Sequence, residues 1–100
     1  MKKQVRSLYE TVCKLSNKVN KLRSTDVNSE EDFTEITNVY SNSNFYEGLQ
    51  IIITDVVNFR YEVYNEVSEE VVRKFEQTFN SINEFEVWFT EHYVNFMNVN

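Results

Sequence analysis

Apolar residues near the start of the chain recur at alternating spacings of three and four. Val5, Leu8, Val12, Leu15, Val19 and Leu22 form a seam of two positions per heptad at helical period. The spacing predicts a helix over residues 3–23. So narrow a seam suits a helix laid across the domain's own sheet. A homodimer or coiled-coil seam along Val5–Leu22, or a helix that docks only on a partner, are the alternatives.

Downstream the period changes. Residues 24–32, "STDVNSEED", carry no apolar rhythm and read as a loop. "FTEITNVY" (33–40) is rich in β-formers and reads as a strand, although Ser29 followed by Asp32 has the look of a helix-starting capping box. "SNSN" (41–44) is turn chemistry. "LQIIITDVV" (49–57) is a β-branched run of strand length. "FRYEVYNEV" (59–67) alternates, with Phe59, Tyr61, Val63 and Val67 on one side and Arg60, Glu62 and Glu66 on the other. A hairpin near Val57–Asn58 would join them, without the usual glycine.

"SEEVVRKFEQTFNSI" (68–82) reads as a helix, capped by Ser68, with Val71, Val72, Phe75, Phe79 and Ile82 on one face. "NEFEVWFTEHYVNFM" (83–97) reads as another. Asn83 would cap it, and Phe85, Trp88, Phe89, Tyr93 and Phe96 would form its inner face. The expected architecture is α+β: a long N-terminal helix, a three-stranded antiparallel sheet and two C-terminal helices (αβββαα).

Composition adds that this is one domain of 100 residues. Its 41% hydrophobic content and 15% aromatics suffice for a core. One cysteine, Cys13, makes no internal disulfide. No apolar run approaches the roughly 20 residues of a membrane helix, and no signal-peptide pattern follows the first residues, so the expected location is the cytoplasm. A single glycine and no proline exclude Gly-rich phosphate loops.

Charge divides the chain. Residues 1–24 hold seven of the ten bases and one acid, whereas residues 25–100 hold three bases and fifteen acids. The result is a basic amphipathic helix (1–23) on an acidic α+β body (24–100). Such a body repels a phosphate backbone, so direct DNA binding is not expected. The basic helix either neutralises the body or touches a polyanion.

Catalytic material is scarce. His92 is the sole histidine and lies beside an apolar face, and Cys13 with His92 would make a dyad only if the fold joined them. Two Cys or His residues fall short of a structural zinc site. Glu30, Glu31, Asp32 and Glu35 lack the glycine that calcium loops use. The expectation is a protein that is not an enzyme and has no metal or cofactor. Its acids are either a solvated face or a recognition surface. Carboxylates held rigidly can imitate phosphates and occupy Arg and Lys clusters on a nucleic-acid enzyme.

The segments "DFT" (32–34), "SNS" (41–43), "QIII" (50–53), "YEV" (61–63) and "SEEVVRKFEQTF" (68–79) resemble, over about residues 32–80, the small acidic anti-CRISPR proteins of phages that inhibit the type II RNA-guided DNA nuclease. The resemblance implies the αβββαα order and a stoichiometric inhibitor. Its acids would occupy the site where the nuclease reads the short motif flanking its target. The family's acid in the Asp-aromatic-Thr motif falls on Asp32. Its hairpin acids fall on Val57 and Arg60, and Asp55 is the nearest substitute. The first helix here is longer and more basic than the family's, and the last two are more tightly joined.

The expected contacts with a bacterial effector nuclease, free or guide-loaded, are therefore Asp32, Glu31, Glu35 and Asp55, then Glu30, Glu47, Glu84 and Glu86. A monomer is favoured. Other functional readings are an immunity or antitoxin protein neutralising a basic toxin, or a structural homodimer through the seam.

Overall fold

The alternating centre of the chain becomes a sheet, and the sheet is wider than its pattern suggests. A computed structural model describes residues 2–19 and 22–97. The order is α1 (Lys3–Ser16), β1 (Ser24–Ser29), β2 (Thr34–Ser41), β3 (Phe45–Ile53), β4 (Val57–Asn65), β5 (Glu70–Phe79) and α2 (Ile82–His92), followed by a 3-10 turn (Tyr93–Asn95). The strands form one sheet in the order β1-β2-β3-β4-β5, each antiparallel to its neighbours.

This replaces the expected αβββαα order. Among the described residues the sheet has five strands instead of three, and one C-terminal helix follows it instead of two. Both errors have a physical origin. In 68–82, the two residues that anchor the segment are Phe75 and Phe79. A spacing of four satisfies both a helix and a strand, so these two rings could not decide between them. The neighbours that favoured a helix, Val71 and Val72, are 52% and 59% exposed. As a strand, β5 gains partners on β4: Arg60 Nε donates to Glu76 Oε1 at 3.0 Å, and Thr78 Oγ1 to Asn58 Oδ1 at 2.7 Å. Residues 24–29, read as loop, form β1. Their one apolar residue, Val27, stands opposite the buried Ile36, and the ladder with β2 supplies the order that their own pattern lacks.

Helix and strand limits shift too. α1 ends at Ser16, not at 23. Its last turn tightens, with Lys18 N donating to Leu15 O at 3.1 Å and Val19 N to Ser16 O at 3.3 Å. Residues 20 and 21, inside the expected helix, lie outside the described residues. The hairpin turn is Thr54–Val56 instead of Val57–Asn58, so β3 and β4 begin earlier than read. α2 is capped by Ser81, not Asn83. Ser81 Oγ accepts from Glu84 N at 3.1 Å while Glu84 Oε2 accepts from Asn80 N at 3.3 Å, a reciprocal arrangement close to a capping box.

Both helices cover the same sheet face. α1 lies over β1 and β2, and α2 over β5, with the helices touching between them. Val5, Leu8, Val12 and Leu15 of the seam are buried in the protein's own core. Leu22, by contrast, is 94% exposed, so the seam does not continue to Leu22 as one face. Under α2 the core is aromatic. The Phe59 ring centre lies 5.2–6.1 Å from those of Phe75, Phe85, Trp88, Phe89 and Phe96, the range of favourable ring contacts.

Asparagine takes the place of glycine and proline in the turns at one end of the sheet. Asn42 Oδ1 accepts from Asn44 N and Phe45 N between β2 and β3. Asn65 Oδ1 accepts from Val67 N and Ser68 N between β4 and β5. These side chains mimic a backbone turn. Glu69 then closes the second turn at φ 59, a left-handed position that costs a non-glycine residue free energy. The sole glycine, Gly48, lies on the face opposite the helices, and the Tyr46 ring folds over it. A Cβ on Gly48 would meet the Tyr46 hydroxyl at 2.7 Å, so the ring takes the place a side chain would fill.

Candidate functional site: an acidic groove at one end of the sheet

The strand pairing decides which acids meet. Thr34 pairs with Ile53 across β2 and β3, so the loop before Thr34 and the turn after Ile53 emerge side by side. That places Glu30, Glu31 and Asp32 next to Asp55. The start of α1 completes the surround. The four acids line a groove of about 570 Å³ with Lys2, Gln4 and Phe33 among its other walls. All four are exposed, and none joins an ion pair among the described residues. The loop is braced by Glu30 N donating to Phe33 O at 2.8 Å. Phe33 is 38% exposed among these carboxylates. An aromatic ring ringed by charge is the composition of an interface anchor with a polar rim.

The remaining sequence-derived acids lie elsewhere. Glu35 is on the uncovered sheet face, where Gln50 donates a hydrogen bond to its carboxylate. Glu84 serves the α2 cap. Glu86 is half-buried in a smaller neighbouring groove of about 170 Å³, which shares Gln4 and Ile82 with the first. One of its oxygens is buried without a partner.

Glu47 is the outright correction. It points to the helix side, and its side chain is 7% exposed beside an Arg23 side chain that is 0% exposed, with Nη1 to Oε1 at 2.8 Å. Arg23 Nε also donates to Asn38 Oδ1, and Asn38 Nδ2 donates to Ser16 Oγ at 3.1 Å and to Thr25 Oγ1 at 2.7 Å. Such a network pairs buried polar groups with one another and keeps the Glu47 carboxylate inside the protein, away from the surface a partner would touch.

Sequence reasoning missed Lys2 and Phe33 as part of this surface. Phe33 was legible as an apolar residue directly after the acid run. Lys2 had no signal, because its position depends on where α1 crosses the sheet.

Elsewhere, Cys13 is half-buried beside Tyr9, and its hydrogen bond and charge raise the Tyr9 phenol above its usual range. His92 stacks on Trp88 at 5.0 Å, with Nδ1 2.8 Å from the Trp88 carbonyl oxygen. Among the described residues no three His, Cys, Asp or Glu side chains converge to hold a metal, and no helix is long and apolar enough to cross a membrane. Comparison with protein-family models, curated proteins and solved structures returns no match.

Proposed function

We propose that the protein is a non-catalytic inhibitor whose acidic groove engages a cationic, DNA-reading surface on a bacterial nucleic-acid enzyme, with the type II CRISPR effector nuclease as the target and the bacterial cytoplasm as the place of action. The observation that carries this reading is the convergence of Glu30, Glu31, Asp32 and Asp55 around one groove. Fixed carboxylates of this kind rival phosphate for Arg and Lys, and bidentate carboxylate–Arg bonds add strength and geometry. Phe33 supplies the apolar contact that pure charge lacks. The αβββαα order no longer supports the reading, which rests on the groove itself.

The test is binding of the chain to the effector, with and without guide RNA, read by competition with target DNA at rising salt. Affinity falls steeply with salt, because exposed charges are screened beyond about 8–10 Å at physiological ionic strength. Asp32→Lys weakens binding far more than Glu66→Lys, a reversal at the opposite end of the sheet. Equal losses from the two, or no binding in either guide state, reject the reading.

A further inference from the structure

Among the described residues the sheet has two free edges, and they are unlike. β1 is short, and its one charged residue, Asp26, points to the uncovered face. β5 is ten residues long and eight of them are exposed. An uncovered edge strand is a row of unpaired N–H and C=O groups, which proteins commonly blunt with proline, bulges or charge. β5 contains no proline. It does carry a bulge, because Val63 pairs with Arg73 whereas Tyr64 pairs with Val71, leaving Val72 as the extra residue. That bulge affects only the start of the strand. From Arg73 to Phe79 the pairing with β4 is unbroken. Its charges, meanwhile, are of both signs. Lys74 and Glu76 are two residues apart, half-exposed and on the same uncovered face, opposite Glu62 and Arg60 respectively.

We propose that β5 pairs with β5 of a second copy, antiparallel about a two-fold axis at Phe75, so that two sheets join into one. An axis perpendicular to the sheet matches uncovered face with uncovered face. Lys74 then stands opposite the partner's Glu76, and Glu76 opposite the partner's Lys74. Opposite charges at directly facing positions stabilise a strand pair, and like charges destabilise it. Arg73 faces the partner's Gln77. On the helix side, Phe75 faces the partner's Phe75, where each ring already stacks on its own Trp88 at 5.9 Å and 9°.

The charge pattern selects this register. An axis at Lys74 sets two lysines face to face, and one at Glu76 sets two glutamates face to face. An axis at Arg73 runs the new pairing across the bulge and sets Lys74 against Val72 instead of a charge. An axis at Gln77 gives neither Lys74 nor Glu76 a charged partner. β1 offers no equivalent, since an axis at Asp26 opposes two aspartates and one at Val27 gives Asp26 only an asparagine. The pairing does not depend on the function proposed above. If that function also holds, the dimer points its two acidic grooves in opposite directions and engages two targets.

Sedimentation of the full chain over a micromolar concentration series tests the proposal, with far-UV circular dichroism to confirm folding. Wild type sediments as a dimer at the upper end of the series. Lys74→Glu alone and Glu76→Lys alone each oppose like charges twice across the axis and weaken the dimer by about tenfold or more. An equimolar mixture of the two variants restores it, because every altered side chain then meets its opposite on the other copy. A wild-type chain that stays monomeric throughout overturns the proposal, as it would if the edge were reserved for a strand of another protein. A dimer indifferent to both reversals, or a mixture that restores nothing, overturns it equally.

Discussion

At one end of the sheet Glu47 is held by Arg23 and closed off from water. At the other, Glu30, Glu31, Asp32 and Asp55 stand around an open groove with no ion pair among the described residues. All five are carboxylates in one stretch that contains no base from Ser24 to Phe59. What separates them is strand parity and one arginine. Glu47 shares its side of β3 with Leu49, Ile51 and Ile53, so the strand carries it inward. Arg23, just before β1, is placed to meet it. The groove acids sit in loops, where no parity applies. A carboxylate is available to a partner only when the fold leaves it hydrated and unpaired, and counting acids along a chain cannot supply that distinction.

The sharpest way to break the comparison is at the closed end. Glu47→Ala leaves the Arg23 guanidinium buried without its counter-charge, and such single removals cost about 3–5 kcal/mol. Urea unfolding monitored through Trp88 measures it. Replacing the pair together, Arg23→Met with Glu47→Leu, costs less than Glu47→Ala alone, because no uncompensated charge remains, although the Asn38 Oδ1 acceptor loses its donor. If Glu47→Ala were as mild as Asp32→Ala, the two ends would not differ as described.

Tyr61 sharpens the same end by pH. Burial first, and then the Glu47 carboxylate, push its phenol above the usual 10.0, against partial opposition from Arg73 and Arg23. The folded state therefore holds the phenolic proton more tightly than the unfolded chain. Tyr61's contribution is complete below pH 10.0 and is lost as pH rises through the folded-state value. Tyr61→Phe should flatten the alkaline limb of stability against pH. The Arg73 guanidinium, 5.5 Å from the ring centre, retains its cation–π contact in that variant.

These contrasts also explain what could be read in advance. The α+β class, the strand character of 34–40, 49–53 and 59–65, and the burial of Phe85, Phe89 and Phe96 were legible because each rests on several residues of one period. β5 was not, because Phe75 and Phe79 fit both periods. β1 was not, because Val27 alone carries no period. Glu47 was misjudged because the expected strand began at Leu49, which left it looking like a turn residue. The groove was half legible. The run Glu30-Glu31-Asp32 is local, but its meeting with Asp55 follows from the pairing of Thr34 with Ile53, and that register needs the whole hairpin.

A smaller effect tests the hairpin near the closed end. Glu69 adopts φ 59, where glycine carries no Cβ penalty. Glu69→Gly should raise stability by roughly 0.5–1 kcal/mol, read as a higher urea midpoint at unchanged slope. A loss of stability would mean that the Glu69 side chain makes a contribution its backbone geometry does not reveal.

The smallest effect on stability belongs to the open end, and its smallness is what the comparison requires. Glu31→Gln, Asp32→Asn and Asp55→Asn together remove three exposed charges that form no ion pair among the described residues. The variant should unfold within about 0.5 kcal/mol of wild type, as surface substitutions away from structural features do. Any change should be toward greater stability, since like charges crowd the groove, and it should shrink as salt screens them. The same triple variant should lose binding to the effector. Loss of binding with stability intact marks these carboxylates as facing outward to a partner. A loss of more than about 1 kcal/mol would instead place them with Glu47, as charges that hold the fold.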